Sequence, residues 1–269
     1  MKLKQSLSQF IRKMGIATLA DKSYYYLQYL LRYRRNSNFA KTHPDFIFPP
    51  AYFIYETYTL DYKDYLEDGK QTAGEIVELL KPFINIQQPL QILDWGCGPA
   101  RVVRHMPGLL AKGSKVFACD YNEQYVKWGN KNIPEVRFKK NELEPPVALP
   151  VECMDAVYGL SIFTHLSEKN HSLWIAELYR LLKPGGIMLI TTQGEKFIHK
   201  LLPDELQEFE KGKLIVRNFE KEGHRMYSAF QPEKFMQELL SGFKILKFIP
   251  GGDKESVHHM QDTWIAKKL

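Results

Sequence analysis

The densest run of chemically suggestive residues is Ile92-Leu93-Asp94-Trp95-Gly96-Cys97-Gly98-Pro99-Ala100-Arg101. Apolar residues lead to an acid, then to two glycines one residue apart, then to a helical stretch through His105. Gly96 and Gly98 let a ligand approach the backbone where a side chain would block it. A helix start beyond them offers unpaired N–H groups to an anionic group. Asp94, ending the apolar run, can organise that loop or accept from a ligand ammonium. Twenty residues past Ala100, Asp120 closes the next apolar run, Val116-Phe117-Ala118-Cys119. From there a carboxylate can accept from two ribose hydroxyls. An acid before a glycine turn and a second acid ending the next strand point to a nucleoside site.

The elements that must position these groups follow from the hydropathy pattern. From about Lys81, short β-rich runs alternate with helical patterns, as in a mostly parallel sheet covered by helices. Strands are expected at 91–94, 115–120, 136–139, 155–160, 186–191, 244–248 and 263–266. The clearest helix follows Ser167 as N-cap, carries Leu173, Leu178, Leu181 and Leu182, and stops at Lys183-Pro184-Gly185-Gly186. Another opens at Pro232 with Phe235, Leu239 and Leu240 on one face. A charged stretch at 195–226 interrupts the alternation and reads as an insertion or lid. The resulting domain scheme is a helical N-terminal extension at 1–68 followed by an α/β domain at 69–269.

The 269 residues are 44% hydrophobic and 25% charged, a globular composition without the ~18 consecutive apolar residues of a membrane span. No uninterrupted apolar segment follows Met1, so export is disfavoured. Cys97, Cys119 and Cys153 are odd in number and widely spaced, which suits a reducing compartment and neither disulfides nor zinc. Metal binding has no support, since the histidines lack helical pairing with acids.

The net charge of +6 is concentrated at the start of the chain. Residues 1–44 hold nine Lys and Arg against Asp21 alone, and the remainder is slightly acidic. Tyr24, Tyr25, Tyr26, Tyr29 and Tyr33 with Leu27, Leu30 and Leu31 make this arm basic, aromatic and amphipathic. It suits peripheral contact with an anionic membrane or nucleic acid, or equally a cap whose aromatic face packs on the body. A mitochondrial transit segment has a similar composition. Tyr52, Tyr55 and Tyr58 recur every third residue, as a packing stripe or a lid.

The run at 92–101 resembles motif I of class I S-adenosylmethionine-dependent methyltransferases, an acid followed by G-x-G-x-G, with Ala100 standing for the third glycine. Two further stretches resemble the same family: Met154 to Leu166 as strand four and its turn, and Leu181-Leu182-Lys183-Pro184-Gly185-Gly186 before strand five. A narrower resemblance, to bacterial methyltransferases of unassigned substrate, rests on several short stretches. They are His43-Pro44-Asp45, Phe48-Pro49-Pro50, Tyr65 to Gly69, Ser161 to Leu166, Thr191 to Gly194 and Gln261-Asp262.

The family resemblance implies a Rossmann-like α/β fold: a seven-stranded, mostly parallel sheet with helices on both faces. It implies S-adenosylmethionine as cofactor, S-adenosylhomocysteine as product, and a cofactor site drawn from Asp94, Gly96, Cys97, Gly98, Ala100, Asp120, Tyr121, Asn141 and Ser161. Gly96 and Gly98 would line the methionine moiety and Asp120 would hold the ribose. The adenine contact falls near Asn141, to its amide, to Glu142 or to a backbone group. Ser161 would face the meeting point of donor and acceptor.

Methyl transfer rests on orientation, worth roughly 7–11 kcal/mol, and on a base where the acceptor must lose a proton. His165 is the first candidate base, with His258 and His259 as alternatives; His171 is expected to be exposed, and Cys97 to pack. The leading expectation is a cytoplasmic methyltransferase, peripherally membrane-associated or free, acting on O or N of a small-molecule or glycan-like acceptor. RNA or protein methylation and a non-catalytic binding subunit are the alternatives. Nucleic acid is disfavoured by the acidic body and the lack of an N-P-P-Y-type run. A nicotinamide oxidoreductase is disfavoured because the loop is not G-x-G-x-x-G.

Overall fold

The computed structural model describes residues 17–218 and 220–269. Lys2, Lys4, Arg12 and Lys13 of the basic arm lie outside the described residues. The chain divides into two compact units, Met1–Glu67 and Asp68–Leu269.

The first unit holds α1 (Ala17–Thr42), α2 (Ala51–Thr57) and the opening of α3 (Tyr62–Leu80). Ile54, Tyr55, Leu60 and Tyr65 form its core, with Tyr25, Tyr29, Phe48 and Tyr52 packed around them. Tyr25 meets Tyr52 edge-on at 5.0 Å, so Tyr52 and Tyr55 are packing residues. Buried Asp61 is the polar anchor. Its Oδ1 accepts from the backbone of Lys63 and Asp64, and its Oδ2 pairs with Arg32 and Arg35 at 3.2 and 3.1 Å. Such partners offset the cost of burying a carboxylate.

The second unit contains a seven-stranded sheet in the order β3-β2-β1-β4-β5-β9-β8. Its strands are β1 (Gln91–Trp95), β2 (Lys115–Asp120), β3 (Val136–Lys140), β4 (Met154–Gly159), β5 (Leu182–Thr192), β8 (Phe243–Ile249) and β9 (Asp262–Lys268). The first five are parallel, and β9 runs antiparallel between β5 and β8. All seven expected strands are present.

Alternation along each strand divides the core between the two faces. Ile92, Val116, Ala118, Ala156 and Leu189 pack with Ile76 and Leu80 of α3 and with Val126 of α4 (Glu123–Asn132). Leu93, Trp95, Phe117, Val157 and Ile190 pack on the other face. Their partners are Trp174 and Leu178 of α5 (Glu168–Leu181) and Met236 of α7 (Glu233–Leu239). Between β5 and α7 lie α6 (Pro203–Glu210) and the short hairpin β6 (Ile215–Arg217) and β7 (Ser228–Phe230). Phe209, Ile215 and Phe230 give this segment its own small core.

One local expectation needs correction, that His171 is exposed. The helical stretch after the glycine turn is a 3-10 helix, Val103–Gly108. Ala100 is in the left-handed region at φ 66° and Pro107 lacks an N–H, so no α-helical ladder can establish itself between them. His171 is fully buried. Its Nδ1 donates to the Ser167 carbonyl at 2.8 Å, and its Nε2 lies 3.1 Å from Gln231 Nε2, because the first turn of α5 faces Phe163 and Phe235.

Candidate functional site

In a sheet of this order, neighbours leave β1 in opposite directions, opening a crevice at the carboxyl ends of β1 and β4. The glycine turn is built there. Gly96 and Gly98 have φ of +76° and +52°, where other residues are strained, and the backbone N–H groups of Gly96 and Cys97 both donate to the Cys119 carbonyl. A Cβ at Gly96 would stand 2.1 Å from Ile162 Cδ1, so a side chain there would have to displace Ile162.

Asp120, at the end of β2, holds the turn in place. Its Oδ2 accepts from Gly98 N at 2.8 Å and its Oδ1 from Asn122 N at 2.8 Å. The Asp120 carbonyl accepts from Asn141 N at 3.2 Å, bringing the end of β3 alongside. One open cleft, with a cavity volume of about 70 Å³, is lined by Gly96, Asp120, Tyr121, Asn141 and His165, together with Trp95, Leu143, Ile162, Leu166, Trp174 and Gly223. Asn141 Nδ2 donates to the Glu142 carbonyl at 2.6 Å, and its Oδ1 is buried without a partner. An adenine amino group is a donor of the kind that acceptor lacks.

Asp94 lies beneath the turn, 4% exposed, its Oδ2 accepting from Tyr158 Oη at 2.9 Å. Burial pushes its carboxyl up to about 7, against the lowering effect of Tyr158, with nearby Asp120 raising it further. Burial likewise pushes Asp120 up to about 6, opposed by the N–H groups of Asn122 and Gly98. Two buried carboxyls held this high favour a ligand that brings positive charge and hydrogen-bond donors. Cys97 and Ala100 are buried and do not line the cleft; the Cys97 thiol is pushed well above its usual value by burial, as a packing residue.

The turn after β4 carries Ser161 at φ 61°, with its N–H on Thr191 Oγ1 at 2.8 Å. Gln261 Oε1 accepts from both Ser161 Oγ and Thr191 Oγ1, at 2.9 and 2.7 Å. His165 closes the same turn. Its Nδ1 donates to the Tyr227 carbonyl at 2.8 Å, and burial lowers its pKa. A carbonyl can only accept, so Nδ1 carries the proton and Nε2 of the neutral ring keeps a lone pair. His258 is also lowered by burial, and His259 is exposed. Neither lines the cleft. Among the described residues, no group of His, Cys, Asp or Glu could hold a metal ion.

Glu222 and Gly223 escaped sequence reasoning. Gly223 N donates to the His165 carbonyl at 2.9 Å, and Tyr121 Oη donates to the Gly223 carbonyl at 3.0 Å. Glu222 Oε1 accepts from Ser167 N at 2.5 Å and from Asn170 Nδ2 at 2.8 Å. The stretch 222–227 is thereby tied to the cleft's rim. Tyr227 and Phe230 are buried.

The sheet order is that of a Rossmann-like methyltransferase fold, with the glycine turn at the end of β1 and an acid at the end of β2. Residues 92–186 match the family described as "Methyltransferase domain". The chain is 27% identical over 159 residues to the tRNA N(3)-cytidine methyltransferase METTL2 of Gallus gallus, covering 53% of this chain and 40% of that protein. It is 25% identical over 138 residues to the malonyl-[acyl-carrier protein] O-methyltransferase of Pectobacterium atrosepticum, covering 51% of each. The chain therefore spans about half or less of the length of these relatives. A solved 1,6-didemethyltoxoflavin-N1-methyltransferase from Burkholderia thailandensis, with bound 1,6-didemethyltoxoflavin and S-adenosylhomocysteine, shares the fold. Its TM-score is 0.52 at 16% identity, over 76% of this chain and 79% of that one.

Proposed function

We propose that the chain binds S-adenosylmethionine in this cleft and methylates an oxygen or nitrogen of a small-molecule or glycan-like acceptor, leaving S-adenosylhomocysteine. The observation that carries the reading is the coupling of Asp120 to the glycine turn: one carboxylate both shapes the loop through Gly98 N and lines the cleft. The residues fit the cofactor, with Asp120 for the ribose, the orphaned Asn141 Oδ1 for adenine, and the Gly96 cradle with Asp94 for the charged methionine end. When bound, that cofactor supplies a methyl carbon activated by its positively charged sulfur.

The chain's own part is orientation, exclusion of water and removal of one proton. Tyr121 and Gly223 line the cleft, with the Tyr121 hydroxyl bonded to the Gly223 carbonyl. His165 is assigned as the base, because Tyr227 fixes its tautomer and burial keeps the ring neutral near pH 7. His165→Asn then lowers kcat by about 100-fold or more while leaving cofactor affinity unchanged. A loss of affinity with kcat intact removes that role.

Of these relatives, one is a tRNA N(3)-cytidine methyltransferase and the other a malonyl-[acyl-carrier protein] O-methyltransferase. A small acceptor is favoured for this chain because residues 45–269 carry 28 Lys and Arg against 30 Asp and Glu, an unsuitable surface for a phosphate backbone. Calorimetric titration of the purified protein with S-adenosylmethionine and S-adenosylhomocysteine tests the cofactor, and acceptor screening follows with sugars and lipid-linked glycans. Micromolar binding of both supports the reading. A folded sample that binds neither moves the assignment to a non-catalytic binding subunit, and salt-sensitive RNA retention moves the acceptor to RNA.

A further inference from the structure

The first unit presents a helix face that its own core leaves uncovered. On α1, Tyr25, Tyr29 and Asn36 turn inward, toward Tyr52, Tyr55 and Leu60. At about 3.6 residues per turn, Tyr26, Leu27, Leu30 and Leu31 then share the outward face. They are 62%, 51%, 73% and 70% exposed. Arg34 and Lys41 continue that face toward the carboxyl end, and Lys22 flanks it, all three exposed. No acid occurs from Lys22 to Thr42. Arg32 and Arg35 are turned to Asp61, so the outward cations are a separate set.

We propose that this face of α1 docks the protein on an anionic lipid bilayer, lying in the interface with Leu30 and Leu31 inserted and Arg34, Lys41 and Lys22 on the headgroups. Among the described residues no helix is long and apolar enough to cross a membrane, so the contact is peripheral. The occupant follows from charge and shape together. Aliphatic side chains suit acyl chains, tyrosines suit the headgroup boundary, and an acid-free cationic rim suits anionic lipid. A second copy of the same face would set cation against cation. The inference stands whether or not the cleft binds S-adenosylmethionine.

The test is co-sedimentation of the full chain with phosphatidylcholine vesicles and with vesicles containing phosphatidylglycerol. It is run at about 50 mM and about 500 mM NaCl, since screening shortens the reach of surface charge. Binding is expected only with phosphatidylglycerol and is expected to weaken at high salt. Leu30→Glu with Leu31→Glu, and separately Arg34→Glu with Lys41→Glu, are each expected to lower partitioning about tenfold or more. The four positions are exposed, so melting temperature stays that of the wild type and reports that the variants fold. Absence of binding to anionic vesicles at low salt overturns the proposal, as does binding unaffected by the leucine pair. A dimer in light scattering that the leucine pair converts to monomer assigns the face to a second copy, and retention on RNA without vesicle binding assigns it to nucleic acid; either overturns the lipid reading.

Discussion

Gly98 donates its backbone N–H to Asp120 Oδ2 at 2.8 Å, joining the glycine turn to the end of the neighbouring strand. The same carboxylate accepts from Asn122 N, so one side chain sets the turn, the start of α4 and a wall of the cleft. Asp120→Ala leaves both donors and the proposed ribose hydroxyls without an acceptor. Hydrogen bonds to a charged group contribute about 1.5–3 kcal/mol each, so S-adenosylhomocysteine affinity falls about 100-fold or more. Asp120→Asn keeps one acceptor and falls about tenfold. Calorimetry on both variants checks the order, and unchanged affinity in the alanine variant removes Asp120 from the site.

The raised carboxyls of Asp94 and Asp120 give binding a pH dependence of known sign. A ligand carrying positive charge prefers the ionised forms, and Asp94, at about 7, loses its charge between pH 8 and pH 6. Cofactor affinity then drops about tenfold across that interval. The ligand-free protein responds in the opposite sense. A carboxyl whose folded pKa is raised contributes stability that is complete below its unfolded value and is lost as pH rises through the folded one. For Asp120 and Asp94 that loss runs through about 6 and about 7. The gain in melting temperature on adding S-adenosylhomocysteine therefore shrinks from pH 8 to pH 6, and Asp94→Asn flattens the trend. A gain that grows on acidification contradicts the assignment.

Gly96 allows a prediction that separates strain from crowding. Its φ of +76° penalises any Cβ by about 1–2 kcal/mol, and the added atom would meet Ile162 Cδ1 at 2.1 Å. Gly96→Ala is expected to lower the melting temperature and abolish cofactor binding. Combining it with Ile162→Ala relieves the contact but not the torsion, so the double variant recovers part of the stability lost. Full recovery of stability would show that the torsion carries no cost.

Strands such as β1, β2 and β4 were legible as short apolar runs closed by an acid or a glycine, and alternation with helices implied the parallel order. The pattern that suggested a nucleoside combined a local glycine turn after Asp94 with a second acid, Asp120, closing the next apolar run. Other features, local and non-local, left no trace in the sequence. The 3-10 helix at Val103–Gly108 depends on the torsion at Ala100, and the three-residue strands β6 and β7 are too short to show a period. His171 reads as a surface histidine on a helix, yet Phe163, Phe235 and Gln231 enclose it from three other segments. The partnership of Asp94 with Tyr158 follows from the register of β1 on β4, where those two residues are paired.

The tie between Glu222 and the start of α5 spans more than fifty residues and bears on how the cleft opens. Glu222 Oε1 accepts from Ser167 N and Asn170 Nδ2, while Gly223, next in the chain, lines the cleft and bonds to His165 and Tyr121. Asn170 is 2% exposed and its Oδ1 is already unpartnered, so losing the carboxylate strands the rest of its amide as well. Glu222→Ala releases the rim segment while leaving both halves of the sheet core untouched. Cost at the helix start is about 1 kcal/mol, a fall of roughly 2–4 °C in melting temperature. The larger effect is kinetic. Amides of 222–227 exchange with deuterium about tenfold faster, and bound S-adenosylhomocysteine dissociates faster by a similar factor, because opening no longer breaks those bonds. Wild-type exchange and dissociation rates in this variant would show that the segment is held by Gly223 and Tyr227 alone.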